Sequence, residues 1–459
     1  MTESDKFFNG IKGKKIAMIG AGVSHIELIE SFLKKGLDVT LCDKKTADSL
    51  GTVYDRLKEQ GCKFSLGENY LEEIYSSDIV FRTPGMYYLS PELTKARKLG
   101  IAVTSETEVF FDICPCKIIA VTGTEGKTTT TTIITEMLSR SGVTVHKGGN
   151  IGKALLPMID NIRENDVVAA ELSSFQLISM RRSPDYALIT NIYPDHLNVH
   201  SGMEEYINAK KNLIIHQNAF SKTVLNMDNA ETLKLADCVR GRLLMFSRKA
   251  VPEMGTYLDG EGYICYTDGK NTERLFNKDD IKIPGMHNVE NYLAAAALLY
   301  GDVSADVMKN TAQTFGGVEH RIEYVRTLDG VKYYNDSIAT SPPAVIAGLE
   351  AFDRKVIVIA GGSDKGLDYG ELAEPLCRKA KLLILTGDTS DMIENAVTKT
   401  EGHCPIIRAD SMEEAVKAAR ENAVSGDVVT LSPASASFDR YKNFEERGKH
   451  YKSIVNSLK

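Results

Sequence analysis

The stretch KIIAVTGTEGKTTTTT, Lys117 to Thr132, decides how this chain is read. An apolar run of strand length meets a glycine-bearing turn, and the turn opens a helix predicted from Lys127 to about Arg140. Backbone N–H groups at such a junction, with the helix dipole behind them, favour an anion. The common phosphate-binding pattern asks for Gly, four residues and then Gly-Lys-Ser/Thr. Counted back from Gly126-Lys127-Thr128, its first glycine falls on Val121; the nearest glycine is Gly123, so the loop is short. Thr is a poor helix former, so the run Thr128 to Thr132 needs a purpose. At a helix N-terminus the hydroxyls can cap the backbone, and Thr128 can reach a magnesium ion.

A triphosphate site also needs a carboxylate for magnesium, usually at a strand end in the same domain. VVAAELSS supplies Glu171 after four apolar residues. In TNIYPDHLNVH an apolar strand is predicted to end at Asp195-His196, and Lys210 follows in YINAKKNL. Near the start, KKIAMIG runs into GAGVSH, a dinucleotide-type turn whose third glycine is His25. Asp43 closes the next strand, where it could bind a ribose hydroxyl. Towards the C-terminus NDSIATSPPA, AGGSDKGLDY and LSPASASFDRYKNFEERG each follow an apolar run, the usual place for a ligand in an open α/β sheet.

The chain has 459 residues, 43% of them hydrophobic and 25% charged, which suggests about three domains of a globular enzyme. A net charge of −7 gives no electrostatic reason to expect a nucleic acid. No apolar run is long enough for a membrane helix, and MTESDKFFNG has no signal-peptide character. Of eight cysteines only Cys114 and Cys116 lie close together, with no second pair to complete a zinc site. Free thiols in a reducing cytoplasm are the expectation.

Strand-length apolar runs alternate with amphipathic stretches, which predicts α/β layers with mostly parallel sheets. Three such domains are expected, over 1–105, 106–317 and 318–459. The first holds KKIAMIG, LDVTLCD, DIVFRTPG and IAVTSE. The second holds the opening stretch, DVVAAELSS, YALITNIYPD, TVLNMD, a hairpin-like segment from Tyr257 to Arg274 and the helical NVENYLAAAALLYG. The third starts with a hairpin turning at Asp329-Gly330, followed by KVIVIAGG, AKLLILTG and DVVTLSPAS.

Taken in order, GTEGKTT, GNIG, ELSSFQL, NIYPDHL, AKKNL, GMHNVEN, EHR, NDSIATSP and SPASASFDRYKNFEERG resemble the Mur ligase family over nearly the whole chain. The last motif points to its glutamate-adding branch, and the short Gly-Thr-x-Gly-Lys loop is the family's own variant. The resemblance implies a Rossmann-like N-terminal domain for a UDP substrate, a central P-loop ATPase domain and a Rossmann-like C-terminal domain for an amino acid. It implies a cytoplasmic, monomeric enzyme of peptidoglycan synthesis. In such an enzyme ATP phosphorylates the carboxylate of UDP-N-acetylmuramoyl-L-alanine, and the amino group of D-glutamate attacks the acyl phosphate.

Roles carry over position by position. Lys127, His196 and Lys210 form the implied catalytic set. Gly123, Thr124, Glu125, Gly126, Lys127, Thr128 and Thr129 hold the ATP phosphates. Asn288, Asn291, Arg321 and Asp336 match contacts to adenine, ribose and phosphate, with His287 and His320 nearby. Thr128 and Glu171 face one Mg2+; His196 and Lys210 serve a second, Lys210 carrying a carbamate derived from CO2. Ser24, Asp43, Thr83, Gly85 and Asn150 match the UDP-substrate positions. Thr340, Lys365, Ser437 and Phe444 match the D-glutamate pocket.

Three positions depart from the family pattern. Glu125 puts a negative charge in the phosphate loop, His25 replaces a small residue, and Ile338 stands where glutamate-adding members often carry Lys. Competing readings are a sister Mur-type or folylpolyglutamate-type ligase, an NAD-dependent oxidoreductase resting on GAGVSH, and a nucleotide-binding regulatory protein. The oxidoreductase reading leaves Lys127, Glu171 and Lys210 without a task.

Overall fold

The computed structural model describes every residue except Asn198, and every side chain except those of Val23 and Ser24. Among the described residues the strands assemble into three sheets. The first holds β1 (Lys15–Ile19), β2 (Asp38–Asp43), β3 (Lys63–Leu66), β4 (Ile79–Phe81) and β5 (Ala102–Thr104). They pair in parallel in the order β3-β2-β1-β4-β5. The order reverses beside β1, which places the GAGVSH turn and the segment after β4 at the switch point where such sheets bind ligands.

The second sheet contains β6 (Lys117–Thr122), β7 (Val145–Gly149), β8 (Val167–Glu171), β9 (Tyr186–Ile189), β10 (Lys222–Asn226) and β11 (Arg242–Ser247). It continues through β12 (Gly255–Leu258), β13 (Tyr263–Thr267) and β14 (Thr272–Asn277). Its order is β14-β13-β12-β11-β10-β9-β6-β8-β7, with β6 central and only β12-β13-β14 antiparallel. Buried on both faces, β6 reads as a continuous apolar run rather than an alternating one. An apolar cluster containing Phe32, Phe81, Phe110, Leu155, Leu177 and Ile189 runs between the first and second sheets.

The third sheet comprises β15 (Glu323–Leu328), β16 (Val331–Asn335), β17 (Val356–Ala360), β18 (Ala380–Leu385), β19 (Ile406–Arg408) and β20 (Val428–Leu431), ordered β15-β16-β20-β17-β18-β19. The β15-β16 hairpin turns at Asp329 and Gly330, both with positive φ (49° and 79°), the turn whose twist suits a two-residue hairpin. β17 sends Val356, Val358 and Ala360 into one core and Ile357 and Ile359 into another, so helices cover both faces.

Two compact units result, Met1–Asn277 with Glu290–Thr311, and Lys278–Val289 with Ala312–Lys459. The helix Met286–Leu299 is divided between them. The strand expected to reach Asp195-His196 stops at Ile189, and the segment beyond it is irregular. Its polar side chains brace the phosphate loop instead of extending the sheet. The strands β3, β7, β11 and β19 have no counterpart among the expected strands; β7, with the sequence VHKGG, has no apolar run to reveal it.

Candidate active site

Two glycines shape the loop after β6. Gly123 has φ 154°, and a Cβ there would lie 1.9 Å from Thr190 Oγ1. Gly126 is left-handed at φ 78° and caps the helix Lys127–Arg140; its Cβ would sit 2.5 Å from Asn291 Oδ1. The loop backbone is held by the segment after β9. Asn191 Oδ1 accepts from the Glu125 N–H at 2.8 Å, and Thr190 Oγ1 donates to the Glu125 carbonyl at 2.6 Å. Glu125 therefore serves the loop through its main chain while its side chain is exposed, which lets water screen the unexpected charge.

The threonines do not cap the helix, contrary to the sequence reading. No side chain caps Gly126, and the hydroxyls of Thr131 and Thr132 donate to the carbonyls of Lys127 and Thr128 at 2.9 and 2.8 Å. Such back-bonding satisfies a hydroxyl that the helix has buried. Thr130 instead donates to Asn291 Oδ1 at 3.1 Å, which joins this helix to Met286–Leu299.

Lys127, Thr128, Glu171 and Lys210 converge on this loop. Lys127 Nζ donates to the Thr124 carbonyl at 2.7 Å. Glu171, at the end of β8 and 1% exposed, accepts from Thr128 Oγ1 at 2.7 Å on one oxygen. Its other oxygen accepts from Asn150 Nδ2 at 2.8 Å. A glutamate at a strand end is ordinarily solvated; this one bridges the phosphate loop to Asn150. Lys210, on the helix Met203–Lys211, is also 1% exposed, and its Nζ donates to the Gly123 carbonyl at 2.7 Å. Burial lowers its pKa to about 7, Lys127 pushes in the same direction, and Asp195 and Glu171 oppose them. Tyr206 on the same helix meets Thr124 Oγ1 at 3.1 Å. His196 has positive φ (54°) and is half exposed; its ring lies 5.0 Å from that of Phe175 and 6.5 Å from that of Tyr206.

In the same unit a cavity of about 200 Å³ is lined by His25, Arg82, Thr83, Pro84, Asn150 and Gln176, among others. It brings the candidates Thr83 and Asn150 together. Asp43 buttresses the neighbouring turn, accepting from the N–H groups of Ala21 and Lys45. Gly85 follows in the loop after β4, and the Ser24 side chain lies outside those described. His25 is buried with neither ring nitrogen in a well-formed hydrogen bond, and desolvation holds its pKa near 4. It is a neutral wall of the cavity.

The second unit gathers its own candidates at the C-terminal ends of β16, β20 and β17. Arg447, 2% exposed, donates to the Ser337 hydroxyl and carbonyl and to the carbonyls of Ser435 and Ala436, all within 3.1 Å. Ser337 Oγ donates in turn to the Phe444 carbonyl at 2.8 Å, and the Ser363 N–H to the Ala436 carbonyl at 3.0 Å. Three strand-end segments carrying Thr340, Lys365 and Ser437 are thereby tied into one rim, with Phe444 beside it. Lys365 is exposed and Ile338 half-buried. Asp336 is buried and accepts from Ser432 Oγ at 2.9 Å and the Ile322 N–H at 3.2 Å; burial raises its pKa to about 7. His320 packs edge-on to Phe444 and shares its Nδ1 with Asn335 Nδ2 at 2.9 Å. Asn288 Nδ2 donates to the Pro284 carbonyl at 2.6 Å, and Arg321 is exposed. His287 lies one residue before Asn288, at the start of the same helix. Arg447, Arg82 and Gln176 were missed by the sequence reading; a buried Arg late in KNFEERG has no spacing signal of its own.

The donors around Thr128 suit a hard cation. Among the described residues no three His, Cys, Asp or Glu side chains converge. Mg2+ commonly takes one or two carboxylates and completes its shell with phosphate oxygens and water, so Thr128 and Glu171 are an adequate protein share. All eight cysteines are free thiols. Among the described residues no helix is long and apolar enough to cross a membrane.

A short glycine-bearing loop between the central strand of a mostly parallel sheet and a helix, in a chain that carries two further α/β sheets, has the architecture of the P-loop class of α/β proteins. Residues 121–299 match the Mur ligase middle domain, and residues 320–435 match the Mur ligase glutamate ligase domain. The chain belongs to the Mur ligase family. It is 48% identical to a UDP-N-acetylmuramoylalanine--D-glutamate ligase of Acetivibrio thermocellus, over 100% of this chain and 99% of that one. It is 46% identical to the protein of the same name from Clostridium novyi, over 99% of both. Its fold is similar to that of UDP-N-acetylmuramate-alanine ligase from Thermotoga maritima, with a TM-score of 0.57 at 19% identity, covering 97% of this chain and 100% of that one.

Proposed function

We propose that the chain is the ATP-dependent amide ligase that joins D-glutamate to UDP-N-acetylmuramoyl-L-alanine in peptidoglycan precursor synthesis. The observation that carries this reading is the Thr128–Glu171–Asn150 chain, which links the phosphate loop directly to the wall of the cavity. A terminal phosphate held at Lys127 and Thr128 lies next to an acceptor held by Asn150. The name that those relatives carry contains both substrates.

The chemistry explains why a ligase needs ATP. A carboxylate acylates poorly because an oxide-like group leaves badly. Its oxygen attacks the γ-phosphorus of ATP, the bond to ADP breaks, and an acyl phosphate forms. The amine of D-glutamate then adds to the carbonyl carbon, and the tetrahedral intermediate expels phosphate and loses a proton to give the amide. Such transfers depend on positioning and charge neutralisation. The chain supplies these through the rigid loop around Gly123 and Gly126, the ammonium of Lys127 and the ordered carboxylate of Glu171. Mg2+ would be held by Thr128 and Glu171, with His196 and a carbamylated Lys210 serving a second ion; bound there, it supplies charge neutralisation for the phosphates.

The same reading gives 1–105 to the UDP substrate, 106–317 to ATP and 318–459 to D-glutamate, in a monomeric cytoplasmic enzyme. Thr83, Gly85, Asp43, Ser24 and Asn150 serve the first, and Asn288, Asn291, Arg321 and Asp336 the nucleotide. Thr340, Lys365, Ser437 and Phe444 serve the amino acid. The test is phosphate release from ATP, Mg2+ and UDP-N-acetylmuramoyl-L-alanine with and without D-glutamate. Release that requires D-glutamate supports the reading; release equally stimulated by another amino acid, or none at all, removes it.

A further inference from the structure

The segment after β4, Thr83 to Tyr88, borders the cavity and is stapled at two points to the unit's nucleotide-binding half. At its start Arg82, 1% exposed, donates from one terminal nitrogen to the Phe175 carbonyl at 2.9 Å and to Ser179 Oγ at 2.7 Å. Near its end the Tyr87 hydroxyl donates to Glu205 Oε1. Between these anchors the Tyr88 ring lies against two guanidinium groups, with Arg97 at 4.3 Å and Arg82 at 5.6 Å from its centroid.

Glu205 stands in the first turn of the helix Met203–Lys211, the helix that carries Lys210. Its second oxygen accepts from the Ser201 N–H at 2.8 Å and meets His200 Nδ1 at 3.2 Å. His200 Nε2 meets Ser174 Oγ at 3.0 Å, and its ring lies parallel to that of Phe175, with centroids 5.2 Å apart. Glu205 at the helix start and Tyr206 and Lys210 further along it therefore bind different partners. Glu205 holds the cavity segment; Tyr206 and Lys210 hold Thr124 and Gly123 of the phosphate loop. The Glu205 and Lys210 attachments lie five residues, about 7.5 Å, apart along the one helix.

We propose that Tyr87 and Glu205 are positioning residues for the ligation step, holding the Lys210 helix in register with the segment that borders the acceptor cavity. Neither touches a reacting atom. Their hydrogen bond makes the geometry around Lys210 depend on a properly seated cavity segment, so it acts on turnover more than on nucleotide affinity. This rests on the function proposed above.

The test uses the full-length enzyme with Tyr87→Phe, Glu205→Ala, Glu205→Gln and the Tyr87→Phe/Glu205→Ala double variant. Loss of a charge-assisted hydrogen bond corresponds to about a tenfold change. The proposal expects Tyr87→Phe to lower kcat by about that factor, with the KM for ATP unchanged within about twofold. Glu205→Ala, which also strips the Ser201 N–H and His200 of their acceptor, should lose at least as much, and the double variant should be no worse than Glu205→Ala alone, as two ends of one contact require. Glu205→Gln, which keeps an acceptor oxygen, should recover most of the turnover. Hydrogen exchange at the backbone amides of 203–211 should quicken in Tyr87→Phe, a readout independent of the reaction. Wild-type turnover and wild-type exchange in Tyr87→Phe would overturn the proposal, as would additive losses in the double variant. A wild-type enzyme inactive with D-glutamate would instead count against the functional reading, while the exchange measurement would still decide the tether.

Discussion

Lys210 Nζ donates to the main-chain carbonyl of Gly123 at 2.7 Å, although the two lie on separate elements and neither is near the other in sequence. A buried lysine held by a carbonyl is costly to keep charged, and burial with Lys127 nearby lowers its pKa to about 7. Carbamylation begins from the neutral amine, so this environment favours it. Lys210→Ala is expected to abolish ligation nearly completely while an ATP analogue still binds, and added short carboxylic acids are expected to restore part of the activity. Lys211→Ala, one residue on and half-buried, should be nearly silent. An inactive Lys211→Ala, or no rescue of Lys210→Ala, contradicts the assignment.

Glu171 uses both carboxylate oxygens, one for Thr128 and one for Asn150. Glu171→Gln replaces one acceptor by a donor, so one of these hydroxyl or amide donors loses its partner at a cost of about 1–3 kcal/mol. If Glu171 also faces Mg2+, the variant should lose the gain in ATP affinity that Mg2+ brings. Calorimetry with the ion and with a chelator separates the effects. Equal Mg2+ enhancement in variant and wild type would show that Glu171 is structural alone.

Gly126 adopts φ 78° with Asn291 Oδ1 in the space a side chain would need. Gly126→Ala should cost about 1–2 kcal/mol in backbone strain and displace Asn291. ATP-analogue affinity is expected to fall at least about tenfold, that is by about 1.4 kcal/mol. Unchanged affinity would mean that the loop is not the phosphate cradle.

Asp336 gives a pH dependence of defined sign. Its folded pKa of about 7 exceeds the ~3.9 of an exposed aspartate. Between those values the folded chain keeps a proton that the unfolded chain releases, so stability falls as pH rises through that window. Urea unfolding at about pH 5 and about pH 8 should show the loss, on the order of a few kcal/mol at most. Asp336→Asn should flatten it. An identical pH slope in the variant would place the titration elsewhere.

Much of this was legible in the residues. The helix Lys127–Arg140, the β15-β16 hairpin and the strand-end position of Glu171 follow from local signals that act within a few residues. What was not legible depends on neighbours distant in sequence. Beyond the end of β9 at Ile189, the backbone of Thr190 and Asn191 still bonds Thr122 and Thr124, while their side chains bond the main chain of Glu125 in the loop, and no local signal marks that role. The burial of Lys210 and the web around Arg447 arise from packing between elements, and a single lysine or arginine in a helix carries no mark of it. Position at a helix start favours capping by the threonine hydroxyls; instead Thr131 and Thr132 bond carbonyls of their own helix, and Thr128 and Thr130 bond Glu171 and Asn291 on other elements.

The proposed ligation turns on an acyl phosphate formed from the acceptor's carboxylate. UDP-N-acetylmuramoyl-L-alanine with both carboxylate oxygens replaced by oxygen-18 is the direct probe, with the released phosphate read by mass spectrometry. Attack of that carboxylate on ATP carries one labelled oxygen into the bridge, and expulsion by D-glutamate leaves it on phosphate. One oxygen-18 in each phosphate released during D-glutamate-dependent turnover is the predicted result; product amide formed with unlabelled phosphate would contradict the account.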